Sequence, residues 1–244
     1  MELVGYILAV FIGVSLGLIG SGGSILTVPL LVYLFHISPV LATTYSLAIV
    51  GLSSIAGVIS RIKQKLVDFK TIFFFGIPSI IGVFSSRKFL LPALPEQIYQ
   101  GTHMMLTKSH FIMLFFATLM LVAAISMITG KNNKEQAAAI PVYGGGLLLV
   151  GFLEGSLTGI VGAGGGFLII PALVLLAKLP MKRAIATSLV IISIKSLVGF
   201  TGDLWHVTLD GSFLLKIIIL ATLGIIIGNY INKKMEGEIG RAHV

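Results

Sequence analysis

Long apolar runs separated by short polar stretches set the reading of this chain. Residues 3–19 are apolar, small residues follow at 20–24, and residues 25–35 resume the apolar pattern for about a dozen positions, short of the ~20 that a membrane crossing needs. Residues 40–60 are then predicted to span, 61–70 to form a basic loop, and 71–86 to span with a kink at Pro78. A longer polar connection over residues 87–110, containing Pro92 and Pro95, leads to another span over 111–128. After the hydrophilic residues 131–136 the pattern restarts. Residues 142–161 are apolar, small residues recur at 162–166, a short apolar piece covers 167–179, and spans over 184–201 and 213–231 flank a polar loop at 203–210.

The two small-residue clusters, Gly20-Ser21-Gly22-Gly23-Ser24 and Gly162-Ala163-Gly164-Gly165-Gly166, are glycine runs. Glycine frees the backbone for left-handed turns and weakens a helix, so each run should break its apolar segment into two helical pieces. Inside a bilayer such a break survives only where protein buries it or a polar cavity meets it. At one constant offset Gly13 pairs with Gly155, Gly17 with Gly159, Gly20 with Gly162, Pro29 with Pro171, Ala42 with Ala184, Ser46-Leu47 with Ser188-Leu189 and Gly57 with Gly199. The prediction is an all-α polytopic membrane protein of two homologous halves, each a glycine-broken helical hairpin followed by transmembrane helices. Residues 1–130 form the first transmembrane repeat, 131–140 the linker and 141–237 the second repeat.

Loop charge orients the halves. Arg61, Lys63, Lys65 and Lys70 face only Asp68 in the first, whereas residues 203–210 hold Asp203 and Asp210 with no Lys or Arg. The loop after each short piece trades the other way, with His36 in the first half but Lys178, Lys182 and Arg183 in the second. By the positive-inside rule the repeats are inverted, with the N-terminus outside and residues 131–136 inside, although Arg87, Lys88 and Lys108 then fall outside.

Composition agrees with this class: 56% of the 244 residues are hydrophobic and only 11% charged, against roughly 25% charged in soluble domains. The formal charge of +8 therefore reflects membrane orientation, and no nucleic-acid partner is expected. The absence of cysteine excludes disulfides and thiolate ligands. Met1-Glu2-Leu3 offers no basic n-region, so the first segment should be retained rather than cleaved. The glycine runs lack the GxGxxG spacing and the Gly-Lys-Ser/Thr ending, and the five histidines lack ligand spacing. No cofactor, metal or catalytic residue is therefore expected.

The sequence over residues 17–23 with Pro29, its second copy over residues 159–166 with Pro171, residues 42–47, and Ala186-Thr187-Ser188-Leu189 resemble the TauE/SafE sulfite exporter family of bacterial permeases. The resemblance covers nearly the whole chain. It implies export or uptake of sulfite, organosulfonates or related sulfur-containing anions across the bacterial inner membrane, without a nucleotide-hydrolysing domain. Lys195 departs from the pattern, since a small or amide residue is more usual there. The second half also lacks a counterpart to residues 111–128, and residues 238–244 read as a non-native tail, the translation of a sequencing adapter on a truncated gene.

The glycines also have a chemical reading of their own. A helix starting within the membrane presents unpaired N–H groups and the positive end of its dipole, and glycine lets an anion approach them. Gly20, Ser21, Gly22, Gly23 and Ser24 in one half and Gly162, Gly164, Gly165 and Gly166 in the other would face each other across the repeat interface, with Ser46, Thr187 and Ser188 adding hydroxyl donors. Tight helix packing is the plainer use of the same glycines. Lys195, mid-helix and two turns beyond Ser188, either faces this anion or neutralises Glu154, and Glu154 is the candidate for a coupling proton. The expected function is a secondary transporter that holds a small sulfur-containing anion at the bilayer midplane between two broken-helix N-termini. A passive anion channel, or a permease for another small anion such as a carboxylate, is the alternative.

Overall fold

The computed structural model describes residues 2–19, 22–100, 105–129, 145–205 and 207–241; Gly20, Ser21, the linker at 131–140, His206 and residues 242–244 lie outside the described residues. Helix α1 (Glu2–Ile19) leads to a 3-10 turn (Gly22–Leu26), short α2 (Thr27–Tyr33), α3 (Pro39–Lys63) and α4 (Phe69–Ala93). A two-stranded ribbon, β1 (Gln97–Gln100) antiparallel to β2 (Met105–Thr107), precedes α5 (Lys108–Thr129). Then come α6 (Gly145–Val161), short α7 (Gly166–Leu175), α8 (Met181–Asp203) and α9 (Gly211–Arg241). Among the described residues α3, α4, α5, α8 and α9 are long and apolar enough to cross a bilayer. The chain is an all-α multi-pass membrane protein.

Its polarity is arranged for lipid. Phe11, Phe73, Leu114, Leu121, Leu149, Ile219 and Ile226 point outward, while Thr43, Thr44, Ser46, Ser53, Ser79, Arg87, Glu154, Lys195 and Asp203 are buried. In a solvent that cannot hydrogen-bond, polar groups must find partners inside the protein, so the usual distribution is turned inside out.

Each glycine-broken segment doubles back on itself. Gly5 and Tyr6 on α1 meet Phe35, just past α2, with the Tyr6 and Phe35 rings 5.6 Å apart. In the second half Leu147 of α6 shares an apolar cluster with Leu173, Ala177 and Leu179 at the far end of α7. Both short helices stop the same way. His36 and Lys178 adopt φ 54°, and the N–H groups of Ile37 and Leu179 reach back to the carbonyls of Leu31 and Leu173, each at 3.1 Å, closing a Schellman cap.

The halves interlock through glycine. On α1, Gly13 and Gly17 lie directly on the α9 backbone at Ala221, Gly224, Ile225 and Gly228, and α6 repeats the contact by setting Gly151 and Gly155 on Phe75 and Ser79 of α4. Both pairs run parallel and each joins one half to the other. Removing side chains lets the backbones approach, which is how helices gain packing energy when lipid supplies no hydrophobic drive. Helices α3 and α8 instead run antiparallel: Gly57 packs on Leu189, Gly199 on Leu47, and the Ser193 hydroxyl donates to the carbonyl of Gly51, 142 positions earlier, at 3.2 Å. That separation is the offset that pairs Gly13 with Gly155, so the crossing falls on matched positions. The loop ties match as well, with Asp68 N–H donating to Thr187 Oγ1 at 2.9 Å and Asp210 N–H donating to the Tyr45 hydroxyl at 2.8 Å.

Two boundaries differ from the sequence reading. Helix α4 does not end at Ser86 but continues through Arg87 and Pro92 to Ala93, and Asp203 is the buried last residue of α8 rather than part of a polar loop. By hydropathy alone, each charge marks the end of a span. The two charges neutralise each other, which removes the reason to stop. Within α4, one π-helical turn (Ile72–Gly76) precedes Pro78, and a second (Ser86–Leu90) turns Arg87 inward while Lys88 stays outside, over the Phe84 and Phe89 rings at 5.4 and 5.7 Å.

Two stability predictions follow from this packing. A Cβ at Gly13 would land on the carbonyl oxygen of Ala221, whereas one at Gly211 meets nothing within 4 Å. Gly13→Val should therefore destabilise the protein by about 1–3 kcal/mol or more, and Gly211→Ala should leave the detergent melting temperature unchanged. At the start of α9, Asp210 Oδ1 accepts the Phe213 N–H at 3.1 Å and both the hydroxyl and N–H of Ser212 at 3.0 Å, which holds this exposed carboxyl below the usual carboxylate range. A lowered folded-state value contributes stability above the ordinary carboxylate pKa and loses it as pH falls through the folded value. Asp210→Ala should thus lower the melting temperature at neutral pH, with the deficit narrowing on acidification.

Candidate functional site

The second glycine break is the point where the interior chemistry gathers. Helix α6 ends at Val161, and Gly162, Gly164 and Gly165 take φ of 71°, 66° and 71°, values that side-chain-bearing residues rarely adopt. Helix α7 then starts at Gly166, with the N–H groups of Leu168 and Ile169 donating to the Gly165 carbonyl at 3.0 and 3.1 Å. Four helices press functional groups against this turn. A Cβ at Gly162 would meet Arg87 Nη2 of α4 and Thr43 of α3, one at Gly164 would meet Val50 of α3 and Ser196 of α8, and one at Gly165 would meet Glu154 and Thr158 of α6 and Lys195 of α8.

Two buried ion pairs flank the turn. Lys195 Nζ lies 2.6 Å from Glu154 Oε1 and donates to Thr158 Oγ1 at 3.1 Å, while the Ser79 hydroxyl donates to Glu154 Oε2 at 2.7 Å. Arg87 Nη1 lies 2.7 Å from Asp203 Oδ2 and donates to Thr43 Oγ1 at 3.1 Å, and the Thr44 hydroxyl reaches the same Asp203 oxygen at 2.7 Å. The four charged side chains are at most 6% exposed. With two positive and two negative groups the box is neutral, and removing one partner of such a pair typically costs about 3–5 kcal/mol because the other charge is stranded. Not every donor is satisfied. Arg87 Nε and Nη2, Ser196 Oγ and Ser46 Oγ are buried without a hydrogen-bond partner. Arg87 Nη2 and Ser196 Oγ lie against the glycine turn, and Ser46 sits one turn along α3 from Thr43.

The residues singled out from sequence divide into groups. Gly162, Gly164, Gly165, Gly166, Glu154 and Lys195 come together. Of the two roles open to Lys195, the structure shows the pairing with Glu154, and the ammonium also lies against the glycine turn at Gly165. In the first break Gly22, Gly23 and Ser24 fall in the 3-10 turn, with Ser24 buried, while Gly20 and Ser21 lie outside the described residues. The two breaks are neighbours, but Ile25 and Val28 meet Val161, Ala163, Phe167 and Phe116 there in an apolar cluster. Thr187 accepts the loop N–H of Asp68, and the Ser188 hydroxyl donates to the Ile185 carbonyl at 2.9 Å, so both are engaged away from the turn. A groove of about 480 Å³ between α1 and α2, lined by residues such as Leu8, Phe11, Pro29 and Leu30, is walled almost entirely by carbon and has no charged residue in its lining to hold an anion.

Arg87, Asp203, Thr43, Thr44, Ser79, Thr158 and Ser196 were not singled out from sequence. For Arg87 a signal existed: apolar residues 80–84 and 89–91 continue on both sides of it, so the charge interrupts a helix rather than ending one.

Comparison with known proteins bears on the same architecture. The family profile of the sulfite exporter TauE/SafE matches residues 6–243. The probable membrane transporter YunE of Bacillus subtilis is 28% identical over 247 residues, covering 95% of this chain and 90% of that protein. A probable membrane transporter of Xylella fastidiosa (strain 9a5c) is 27% identical over 85% of this chain and 76% of its own length. The corresponding figures for the probable membrane transporter MJ0441 of Methanocaldococcus jannaschii are 25%, 97% and 88%. No solved structure matches. A family pattern running almost end to end over a helical, multi-pass chain places this protein in the TauE/SafE family of membrane transporters.

Proposed function

We propose that this protein is a secondary transporter of small sulfur-containing anions, of the sulfite or organosulfonate kind, in a bacterial inner membrane. The observation that carries the reading is the set of unpartnered buried donors at the second glycine turn, Arg87 Nε and Nη2 with Ser196 Oγ, beside the start of α7. An oxyanion entering there exchanges its water for fixed N–H and O–H groups, and the helix terminus adds favourable potential. The first break lies beside that turn, where Ile25 and Val28 pack on Val161, Ala163 and Phe167. The Ser79 and Thr44 hydroxyls meet carboxylates that are already paired with Lys195 and Arg87, so binding without chemistry is the use the box fits.

Matched helices α3 and α8 pack antiparallel, which supports an inverted repeat with cargo held at the interface of the halves. Glu154 is the coupling group in this reading. A proton on its carboxylate releases Lys195 to offset the negative charge that the cargo brings into a neutral box.

Two measurements test this proposal. In proteoliposomes, sulfite uptake should be concentrative when a pH gradient is imposed, and Glu154→Gln should abolish accumulation while leaving exchange of sulfite for sulfite; flux that never exceeds equilibrium would make the protein a passive channel. Cysteines introduced at Gln64 and His206 should label from opposite sides of the membrane, and labelling from one side would end the inverted arrangement.

A further inference from the structure

We infer that Arg87 selects the cargo, and that it selects anions presenting two oxygens side by side, through the Nε–Nη2 edge of its guanidinium. The inference rests on the reading of the second glycine turn as the cargo site. A guanidinium has fixed planar donor directions, and the orientation of its plane decides which are offered. Here the plane is pinned from one side. Nη1 is taken by Asp203 Oδ2 at 2.7 Å and by Thr43 Oγ1 at 3.1 Å, and the Thr44 hydroxyl holds the same Asp203 oxygen at 2.7 Å. The remaining edge carries two parallel N–H bonds, from Nε and Nη2, and both are buried without a partner.

That edge is directed at the break. Nη2 lies where a Cβ on Gly162 would fall, and with φ of 71° the position suits glycine alone, so the chain brings bare backbone to this donor. Two parallel donors match a carboxylate, sulfite, sulfonate or sulfate in the bidentate mode, whereas a halide or the end of a linear ion can engage the edge at only one point. Lys195 does not compete for the role, because Glu154 and Thr158 occupy its ammonium. Asp203 acts on the cargo only through Arg87 and is a positioning residue.

The test uses the purified full chain in detergent, with affinities for sulfite, methanesulfonate, chloride and thiocyanate read by calorimetry and thermal shift. Wild type should bind sulfite and methanesulfonate at least about tenfold tighter than chloride and thiocyanate. Arg87→Lys keeps the charge and loses the edge, so sulfite affinity should fall about tenfold or more while chloride affinity holds. Asp203→Asn should weaken sulfite binding with Arg87 still present. Should either single change prevent folding, the charge-balanced Arg87→Met with Asp203→Asn leaves no stranded charge and should fold without binding sulfite. Wild type that binds chloride as tightly as sulfite overturns the inference. So does a folded Arg87→Lys or double variant that binds sulfite with wild-type affinity. Selective binding without any flux in proteoliposomes would instead defeat the transport reading and leave the Arg87 assignment standing.

Discussion

An ammonium or guanidinium in a bilayer has to meet its counter-charge within hydrogen-bond reach, because lipid offers it nothing else. Two such cations and their two carboxylate partners decide how α4, α6 and α8 sit. Arg87 comes from the first half and Asp203 from the second, so their pair stitches the halves together at 2.7 Å. Glu154 and Lys195 both belong to the second half, but Ser79 of the first completes the Glu154 carboxylate. The glycine seams serve the same end. Side chains at Gly151, Gly155 and Gly82 would hold α4 and α6 apart and pull Ser79 away from Glu154.

The scaffold repeats, but the chemistry does not. At the repeat offset Glu154 corresponds to Ile12, Lys195 to Ser53, Asp203 to Arg61 and Arg87 to Asn229. The backbone contacts around these positions are shared by both halves, down to the loop ties of Asp68 and Asp210. The frame therefore repeats while the charges do not, Arg87 alone of these four coming from the first half and Glu154, Lys195 and Asp203 from the second. In the other half Ser53 Oγ returns to the carbonyl of Ile49 at 2.5 Å, and Arg61 is buried with its Nε unpartnered.

Much of the frame was legible from periodicity. The glycine breaks, the short helices after them, the offset between halves and the long spans all rest on local pattern, which hydropathy and glycine spacing encode directly. The ends of α4 and α8 were not legible, because Arg87 and Asp203 look like loop residues until each is known to neutralise the other across 116 positions. The same fact hid much of the site. Glu154 and Lys195 stand out as isolated charges in apolar runs, whereas Thr43, Thr44, Thr158 and Ser196 are ordinary small polar residues of membrane helices until the fold sets Thr43, Thr158 and Ser196 beside the glycine turn and Thr44 on Asp203. A helical hydroxyl can always bond its own preceding carbonyl, so sequence cannot tell which will turn to a ligand.

The distribution of these bonds bears on how such a site could change its access. Lys195–Glu154 and Lys195–Thr158 lie within the second half and travel with it as a unit. Arg87–Asp203, Arg87–Thr43, Thr44–Asp203 and Ser79–Glu154 divide differently. Three of them cross between halves, and Arg87–Thr43 stays within the first. In a rocking motion of one half against the other, the bonds that shear are those to Asp203 and from Ser79, while Arg87 keeps Thr43 and Glu154 keeps Lys195. Losing Asp203 would leave Arg87 in the protein interior without a counter-charge unless another anion lay along its open edge. In the transport cycle proposed above, a bound oxyanion would lower the cost of that movement and so tie the opening of the site to its occupancy.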